Sequence, residues 1–104
     1  MKTKTLPLWL RAYFQIALLG EIDSSFRMIA ASFSDNGDLR IRVYIDRQPT
    51  EDDQETLEIL QVEIDAMRSK GEELNSSEGE FIVTTEPLRL LDRLDGVIYV
   101  RKET

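Results

Sequence analysis

Two alternating segments on either side of Asp35-Asn36-Gly37-Asp38 set the first limit on the fold of this 104-residue chain. Apolar residues recur at every second position in residues 26–32 and again in residues 39–45, as they do in strands with one buried face. Asn-Gly between two such runs is a strong signal for a β-hairpin, because both central residues of a type I′ turn need positive φ. The sequence therefore predicts a hairpin whose two-residue loop is Asn36-Gly37.

This loop implies a register for the predicted hairpin. One face then contains the pairs Ala30 with Val43 and Met28 with Ile45. The other face contains the pairs Phe33 with Arg40, Ala31 with Arg42, Ile29 with Tyr44 and Arg27 with Asp46. The last of these is an opposite-charge pair and supports the alignment. Because this second face is mixed in polarity, we expect another part of the chain to cover some of it.

A helical pattern precedes the hairpin. Residues 6–19 carry a broad apolar stripe at helical spacing. Pro7 suits the first turn of a helix, and Gly20 suits the position just after the last turn. The sequence therefore predicts a first helix between these two residues.

A second helical pattern follows the hairpin. Thr50, with Asp53 three residues later, resembles a capping box and marks the start of a helix that runs to about Ser69, before Gly71. Its predicted buried seam consists of Leu57, Leu60, Ile64 and Met67, with Ile59 and Ala66 beside it.

The C-terminal third completes the predicted order of elements. It contains a polar loop over residues 71–79, a strand over 80–86, an irregular apolar segment with a helical turn over 88–94, and a last strand over 97–100. The order is α-β-β-α-β-β, without repeats or a long linker. We therefore predict a single α+β domain over residues 1–104, in which helices pack on a four-stranded, largely antiparallel sheet.

Composition limits the possible functions. Histidine and cysteine are absent from the sequence, which excludes disulfides, thiolate and imidazole catalysis, and the usual zinc and copper sites. The glycines stand singly at predicted turns, and none forms a phosphate-binding loop. We expect no enzymatic activity, no cofactor and no metal. The N-terminal apolar stretch is interrupted by Arg11 and Gln15 and is too short to span a bilayer, so we expect a cytoplasmic protein that does not bind membranes.

Acidic residues are concentrated on the second helix. The net charge of −7 disfavours nucleic acid and favours a basic partner. Glu51, Glu55, Glu58 and Asp65 fall on one helical stripe without intervening lysines, and like charges at this spacing destabilise a helix by a few tenths of a kcal/mol, roughly, per pair. The stripe is open to three interpretations: a solvated face, a docking surface for a basic protein, or carboxylates of a catalytic or metal site. The last is disfavoured because such carboxylates face each other across a cleft.

A smaller group of residues lies on the second strand of the hairpin. Arg40, Arg42 and Tyr44 alternate there and resemble the start of a patch that binds single-stranded nucleic acid. Because the chain is acidic, a covered sheet face is the favoured interpretation.

Several segments resemble a family of small bacterial proteins. They are Ala17-Leu18-Leu19-Gly20-Glu21-Ile22, Leu39-Arg40-Ile41-Arg42-Val43-Tyr44-Ile45-Asp46, Thr50-Glu51-Asp52-Asp53-Gln54-Glu55, Glu63-Ile64-Asp65-Ala66 and Val97-Ile98-Tyr99-Val100-Arg101-Lys102-Glu103. Together they are similar to immunity proteins of contact-dependent growth inhibition systems, in which a neighbouring cell delivers a toxin domain and the resident immunity protein blocks it. None of these segments is a catalytic signature.

The resemblance implies a partner and a mode of action. The partner would be a cognate toxin domain, basic in charge and in many systems a nuclease, and the chain would occlude its active site or substrate groove. The residues expected to steer association are Glu51, Asp52, Glu55, Glu58 and Asp65, and the candidate anchors are Arg42 and Tyr44. An acidic interaction adaptor without a toxin partner is the alternative. The oligomeric state stays open.

Overall fold

The computed structural model describes residues 5–18, 22–67 and 74–103. Its elements are helix α1 (Leu8–Ala17), strands β1 (Phe26–Phe33) and β2 (Asp38–Ile45), helix α2 (Glu51–Met67), strand β3 (Ser76–Val83), a 3₁₀ turn (Leu88–Leu90) and strand β4 (Gly96–Val100). This confirms the predicted α-β-β-α-β-β order and the helical turn in the C-terminal segment. The four strands form one open sheet in the order β3-β2-β1-β4.

The sheet is mixed, with one parallel pair. β1 lies antiparallel to both β2 and β4, whereas β3 runs parallel to β2 over its whole length. A parallel pair needs a crossover connection, and α2 lies in the segment that joins β2 to β3. The prediction of a largely antiparallel sheet with helices packed on it is confirmed, and the crossover places α2 beside β3.

The start of β3 corrects the sequence prediction. Residues 76–79 were expected to belong to a polar loop, but they pair with Asp38–Ile41 of β2. The Ser77 hydroxyl accepts a hydrogen bond from the Gln61 side chain of α2 at 2.9 Å. Because these strand residues are polar on both faces, they lack the apolar alternation from which a strand is predicted.

The hairpin register also differs from the prediction, by one residue. Ile29 lies opposite Val43, and Ala31 lies opposite Ile41. The loop closes through hydrogen bonds from the Ser34 amide to the Asp38 carbonyl and from the Gly37 amide to the Ser34 carbonyl, both 3.0 Å. Gly37 has a φ of 84°, whereas Asn36 does not have positive φ. This is the geometry of a three-residue loop that ends in a left-handed residue, instead of a type I′ turn.

The shifted register changes which residues share a face. Ile29, Ala31 and Phe33 lie under the helices together with Leu39, Ile41 and Val43 of β2. Met28 instead lies on the opposite face, across from Tyr44. The predicted pairs of Met28 with Ile45 and Ala30 with Val43 are therefore wrong, because a one-residue slip moves every side chain to the other face.

The predicted cross-strand pair between Arg27 and Asp46 is also wrong. The register shifts between Phe26 and Met28, so Arg27 is not aligned with Asp46. The Arg27 guanidinium pairs with Glu103 at 2.9 Å and donates to the Thr84 carbonyl.

Both helices pack on one face of the sheet. α1 buries Leu10, Phe14 and Ala17 and follows Pro7, as predicted for this apolar stripe, although the helix is shorter than residues 6–19. The predicted stop at Gly20 lies outside the described residues. α2 buries Leu57, Leu60 and Ile64, and Met67 packs against the same core.

The start of α2 is the predicted capping arrangement. The Thr50 amide donates to the Asp53 carboxylate at 2.8 Å, and the Asp53 amide donates to the Thr50 hydroxyl at 3.2 Å. The two hydrogen bonds satisfy backbone donors that have no partner within the helix. The predicted end near Ser69 and stop at Gly71 lie outside the described residues.

The opposite face of the sheet is covered in part. Leu91 packs with Met28 and Tyr44 in a second apolar cluster, against which Leu88 and Val97 also pack. The segment that follows β3 therefore covers Met28 of β1 and Tyr44 of β2. The mixed face that was expected to be covered does not form as predicted, because Ile29, Ala31 and Phe33 lie on the helix side of the sheet.

Candidate partner-binding surfaces

The acidic residues proposed for steering lie on the outer surface of α2. Glu51, Asp52, Glu55, Glu58 and Asp65 are all exposed. The buried Leu57 and Ile64 point to the sheet from the other side of the helix. Within the described residues Glu51, Glu55 and Glu58 form no ion pair. These three carboxylates therefore carry negative charge that no described arginine or lysine neutralises.

Asp53 belongs to the same acidic sequence but has a different role. Its side chain is buried and pairs with both terminal nitrogens of Arg47, one of them at 3.2 Å. The Arg47 hydrogen bond lowers the pKa of Asp53, and the hydrogen bonds from Thr50 lower it further. Arg47 also contacts Asp23 at 3.3 Å. Asp53 thus fixes the first turn of α2 and is not available to a partner.

Apolar side chains interrupt the acidic surface. Val62 is 67% exposed and follows Glu58 by one helical turn. Ile59 is also exposed, and Ala66 follows Val62 by another turn. We name Glu51, Asp52, Glu55, Glu58, Val62 and Asp65 the α2 outer face. Val62 was not predicted as a site residue, although its spacing of four residues from Glu58 places it on the same side of the helix.

Arg42 and Tyr44 lie on the other face of the sheet, away from α2. The Arg42 side chain donates to Glu80 at 2.8 Å and to the Tyr44 hydroxyl at 3.3 Å. The Tyr44 hydroxyl in turn donates to the Asp92 carbonyl at 2.8 Å. The Tyr44 and Glu80 hydrogen bonds raise the pKa of Arg42. The predicted site residues therefore form two separate groups on opposite faces of the sheet.

Burial distinguishes the two candidate anchors. Tyr44 is 3% exposed, beneath Leu91, so a partner would reach it only after the segment around Leu91 moved. Arg42 keeps a partly exposed side chain beside Asp92. An anchoring role for Tyr44 or Arg42 stays a prediction, and the geometry favours Arg42 of the two.

Beyond Arg42, the same sheet face is open and charged. Arg40 approaches Glu78 at 3.5 Å, and both side chains are largely exposed. A polar groove lined by Ser32, Asp38 and Ser76 adjoins this pair. The sequence analysis missed Glu78 and Glu80 because their alignment with Arg40 and Arg42 depends on the parallel pairing of β3 with β2.

Two properties of the described residues concern metal binding and membrane insertion. No group of three or more acidic residues in the described ranges 5–18, 22–67 and 74–103 is arranged to hold a metal ion. Neither helix, over its described residues, has the length and hydropathy needed to cross a membrane.

The fold and surfaces define a small α+β domain with two helices on one face of an open mixed sheet and an acidic outer helix face. The sequence model of the MafI2 immunity protein family matches residues 7–103. The chain therefore belongs to the MafI2 immunity protein family. Comparison with curated proteins gave no match.

Family membership indicates the general function of the chain. Immunity proteins neutralise a cognate toxin, so the chain has a toxin-neutralising role and a toxin as its partner. This is the role of an inhibitor that acts by binding, as the resemblance implied.

Proposed function

We propose that this chain neutralises a basic toxin domain by docking its α2 outer face against the toxin and occluding the active site or the substrate groove. The supporting observation is the three exposed carboxylates of Glu51, Glu55 and Glu58, which form no ion pair within the described residues. Close like charges repel one another in the free protein. A basic partner relieves that repulsion when it binds, so the surface is better suited to the complex than to isolation.

The negative charge of the α2 outer face favours a nuclease as the toxin. A nuclease needs a basic groove to hold the phosphates of its substrate. The α2 outer face presents carboxylates along a ridge and could occupy such a groove in place of nucleic acid. The resemblance to immunity proteins of contact-dependent growth inhibition favours a toxin that is delivered by a neighbouring cell and blocked in the cytoplasm.

Different residues of this surface should control the association and the dissociation of the complex. Exposed carboxylates accelerate the encounter with a basic surface, and the acceleration falls as salt is added. Val62 gives the same surface an apolar side chain that a partner can bury, which contributes to the lifetime of the complex. The carboxylates should therefore govern association, and Val62 should govern dissociation.

The sequence alone left open an acidic interaction adaptor without a toxin partner, and membership of the immunity protein family does not support that function. The acidic surface alone suits either function, and family membership favours the immunity role. Co-expression with the cognate toxin tests the immunity role, because the chain rescues growth only if it is an immunity protein.

Association kinetics with that toxin test the proposed surface. Replacing Glu51, Glu55 and Glu58 by Lys should slow association about tenfold or more at low salt and flatten its salt dependence, with the fold retained. The single variants Glu55→Lys and Glu86→Lys form a matched pair, because Glu86 is exposed, changes the net charge equally and lies outside α2, after the end of β3. Equal association rates for wild type and the triple variant at low salt would contradict the proposal.

A further inference from the structure

The outer side of β3 is a long strand edge. β3 is at one end of the sheet and has eight residues, and among the described residues only β2 pairs with it. The other edge strand, β4, has five residues and an irregular register against β1, features that hinder further pairing. β3 contains neither proline nor lysine, the residues that commonly protect an edge.

The backbone of β3 shows which groups this edge presents. The Ser76 amide donates to the Gly37 carbonyl, and the Thr84 amide donates to the Ile45 carbonyl, so both point towards β2. Successive residues of a strand point their amides to alternate sides. Ser77, Gly79, Phe81 and Val83 therefore direct their amides and carbonyls away from β2. The edge offers a regular row of hydrogen-bonding groups.

Acidic side chains flank this row on both faces of the sheet. On the open face, Glu78 and Glu80 alternate along β3 and pair with Arg40 and Arg42 of β2, and the Glu78 side chain stays 73% exposed. On the helix face, Gln61 contacts Ser77. Glu58 precedes Gln61 by one helical turn and Asp65 follows it by one turn, so these two residues of the α2 outer face lie on the flank of the helix next to β3.

We propose that the β3 edge binds an extended strand of the toxin that carries lysine or arginine, and that this strand extends the sheet by one. The inference rests on the proposed function and adds a second contact beside the α2 outer face. Backbone hydrogen bonds from β3 would supply affinity. The exposed carboxylates of Glu78 on the open face and Glu58 on the helix side would select basic side chains on the added strand, since opposite charges on neighbouring strands stabilise a sheet.

Charge disfavours a second copy of this chain as the occupant. Two copies could pair their β3 strands antiparallel about a two-fold axis. In each register with a long overlap, a glutamate of one copy then lies opposite a glutamate of the other: Glu78 opposite Glu78, Glu78 opposite Glu80, or Glu80 opposite Glu80. Like charges directly opposite one another destabilise a sheet. A strand with basic side chains would instead place opposite charges across from these glutamates, so the edge is better suited to a heterologous partner.

Amide hydrogen exchange of the full chain, followed by NMR, tests the proposal directly. In the free protein the amides of residues 78, 80 and 82 should exchange slowly, and those of Gly79, Phe81 and Val83 should exchange faster. In the complex with the cognate toxin, the second set should become protected as well. Fast exchange of the second set in a complex that still neutralises the toxin would overturn the proposal.

A pair of substitutions at Val83 provides an independent test. Val83→Pro removes an outward amide and leaves the hydrogen bonds to β2, whereas Val83→Ala removes the same apolar side chain and keeps the amide. We expect Val83→Pro to bind the toxin about tenfold more weakly than Val83→Ala, or worse, with protection of residues 80 and 82 retained in both. Equal affinities of the two variants would overturn the proposal.

The outcomes separate this inference from the proposed function. If the wild-type chain neither binds the toxin nor rescues growth, the proposed function fails. Suppose instead that the wild-type chain binds the toxin and rescues growth, and that the triple Lys variant of α2 associates slowly. If the two Val83 variants then bind the toxin equally, the strand pairing at β3 is excluded and the proposed function stands. A dimer detected by sedimentation whose exchange pattern protects Gly79 and Phe81 without toxin would overturn the assignment of a heterologous partner.

Discussion

Gly79 should be the position at which a single methyl group most directly disturbs the contact between α2 and β3. A Cβ atom built on Gly79 would lie 2.6 Å from Leu57 Cδ2 and 2.7 Å from Leu57 Cγ. Leu57 is a buried residue of the helix seam. Cγ is close to the backbone, so a rotation at the end of the side chain cannot clear the clash. We predict that Gly79→Ala forces α2 away from the sheet or Leu57 out of its rotamer.

The size of the effect can be worked out from two opposing terms. Adding a methyl group to a well-packed core costs about 1–3 kcal/mol. Replacing glycine by alanine in a strand recovers about 0.5–1 kcal/mol of backbone entropy. The net loss of unfolding free energy for Gly79→Ala should be about 1–2 kcal/mol. For a domain of this size each kcal/mol corresponds to about 4–8 °C in Tm.

A double substitution distinguishes this clash from a general strand effect. Leu57→Ala alone should cost about 2–5 kcal/mol, because it leaves a cavity. That cavity accommodates the methyl group of Ala at position 79, so the double variant should be more stable than the sum of the single effects by about 1–2 kcal/mol. Gly96→Ala is a milder comparison, since its Cβ would lie 3.1 Å from the Arg11 guanidinium and Leu6 Cδ1 and 3.3 Å from Leu6 Cγ, all farther than the Leu57 atoms lie from position 79.

Urea unfolding monitored by the fluorescence of Trp9 measures all four variants. The reasoning would be refuted if Gly79→Ala were as stable as wild type, or if its effect and that of Leu57→Ala were additive. Either result would mean that α2 does not approach β3 as closely as the structure shows.

Two further predictions concern the capping arrangement and the C-terminal ion pair. Thr50→Ala should lower the free energy of unfolding by about 1 kcal/mol, because the Asp53 amide loses its acceptor; urea unfolding checks this, and an unchanged midpoint would contradict the capping role. The hydrogen bond from Arg27 lowers the pKa of Glu103 from 4.5 to about 2, so the stabilisation is complete above pH 4.5 and is lost as the pH falls towards 2. Glu103→Gln should therefore flatten the decline in Tm over this window, and a parallel decline in both proteins would exclude the pairing.

The two surfaces have different consequences for specificity. Charges on the α2 outer face can attract any basic protein, because they act at a distance and tolerate many orientations. Strand pairing at β3 requires an extended segment with basic side chains at fixed positions. The combination would let one acidic domain associate rapidly with its toxin and still reject other basic proteins.

The local elements could be predicted from the sequence because they depend on neighbouring residues. The apolar stripe after Pro7 and the Thr50–Asp53 cap are short-range patterns, and the structure confirms both. The exposure of Glu55 and Glu58 follows from the seam on the opposite side of the same helix. The immunity protein family could also be predicted from the sequence, because the segments that resemble it extend over most of the chain.

The hairpin register required the tertiary structure. Asn36-Gly37 is compatible with a two-residue and a three-residue loop, and the local difference between them is small. Burial of Ile29 and Ala31 under the helices decides for the longer loop, because a slip of one residue would turn both side chains to the other face.

The partner surfaces divide in the same way. The sequence by itself determined the acidic face of α2, since a helix places residues three and four apart on one side. Only the tertiary structure separated this face from Arg42 and Tyr44, and only the parallel pairing of β3 with β2 created the open strand edge. Strand partners are distant in sequence, and their choice depends on how α2 crosses the sheet, which no local pattern encodes.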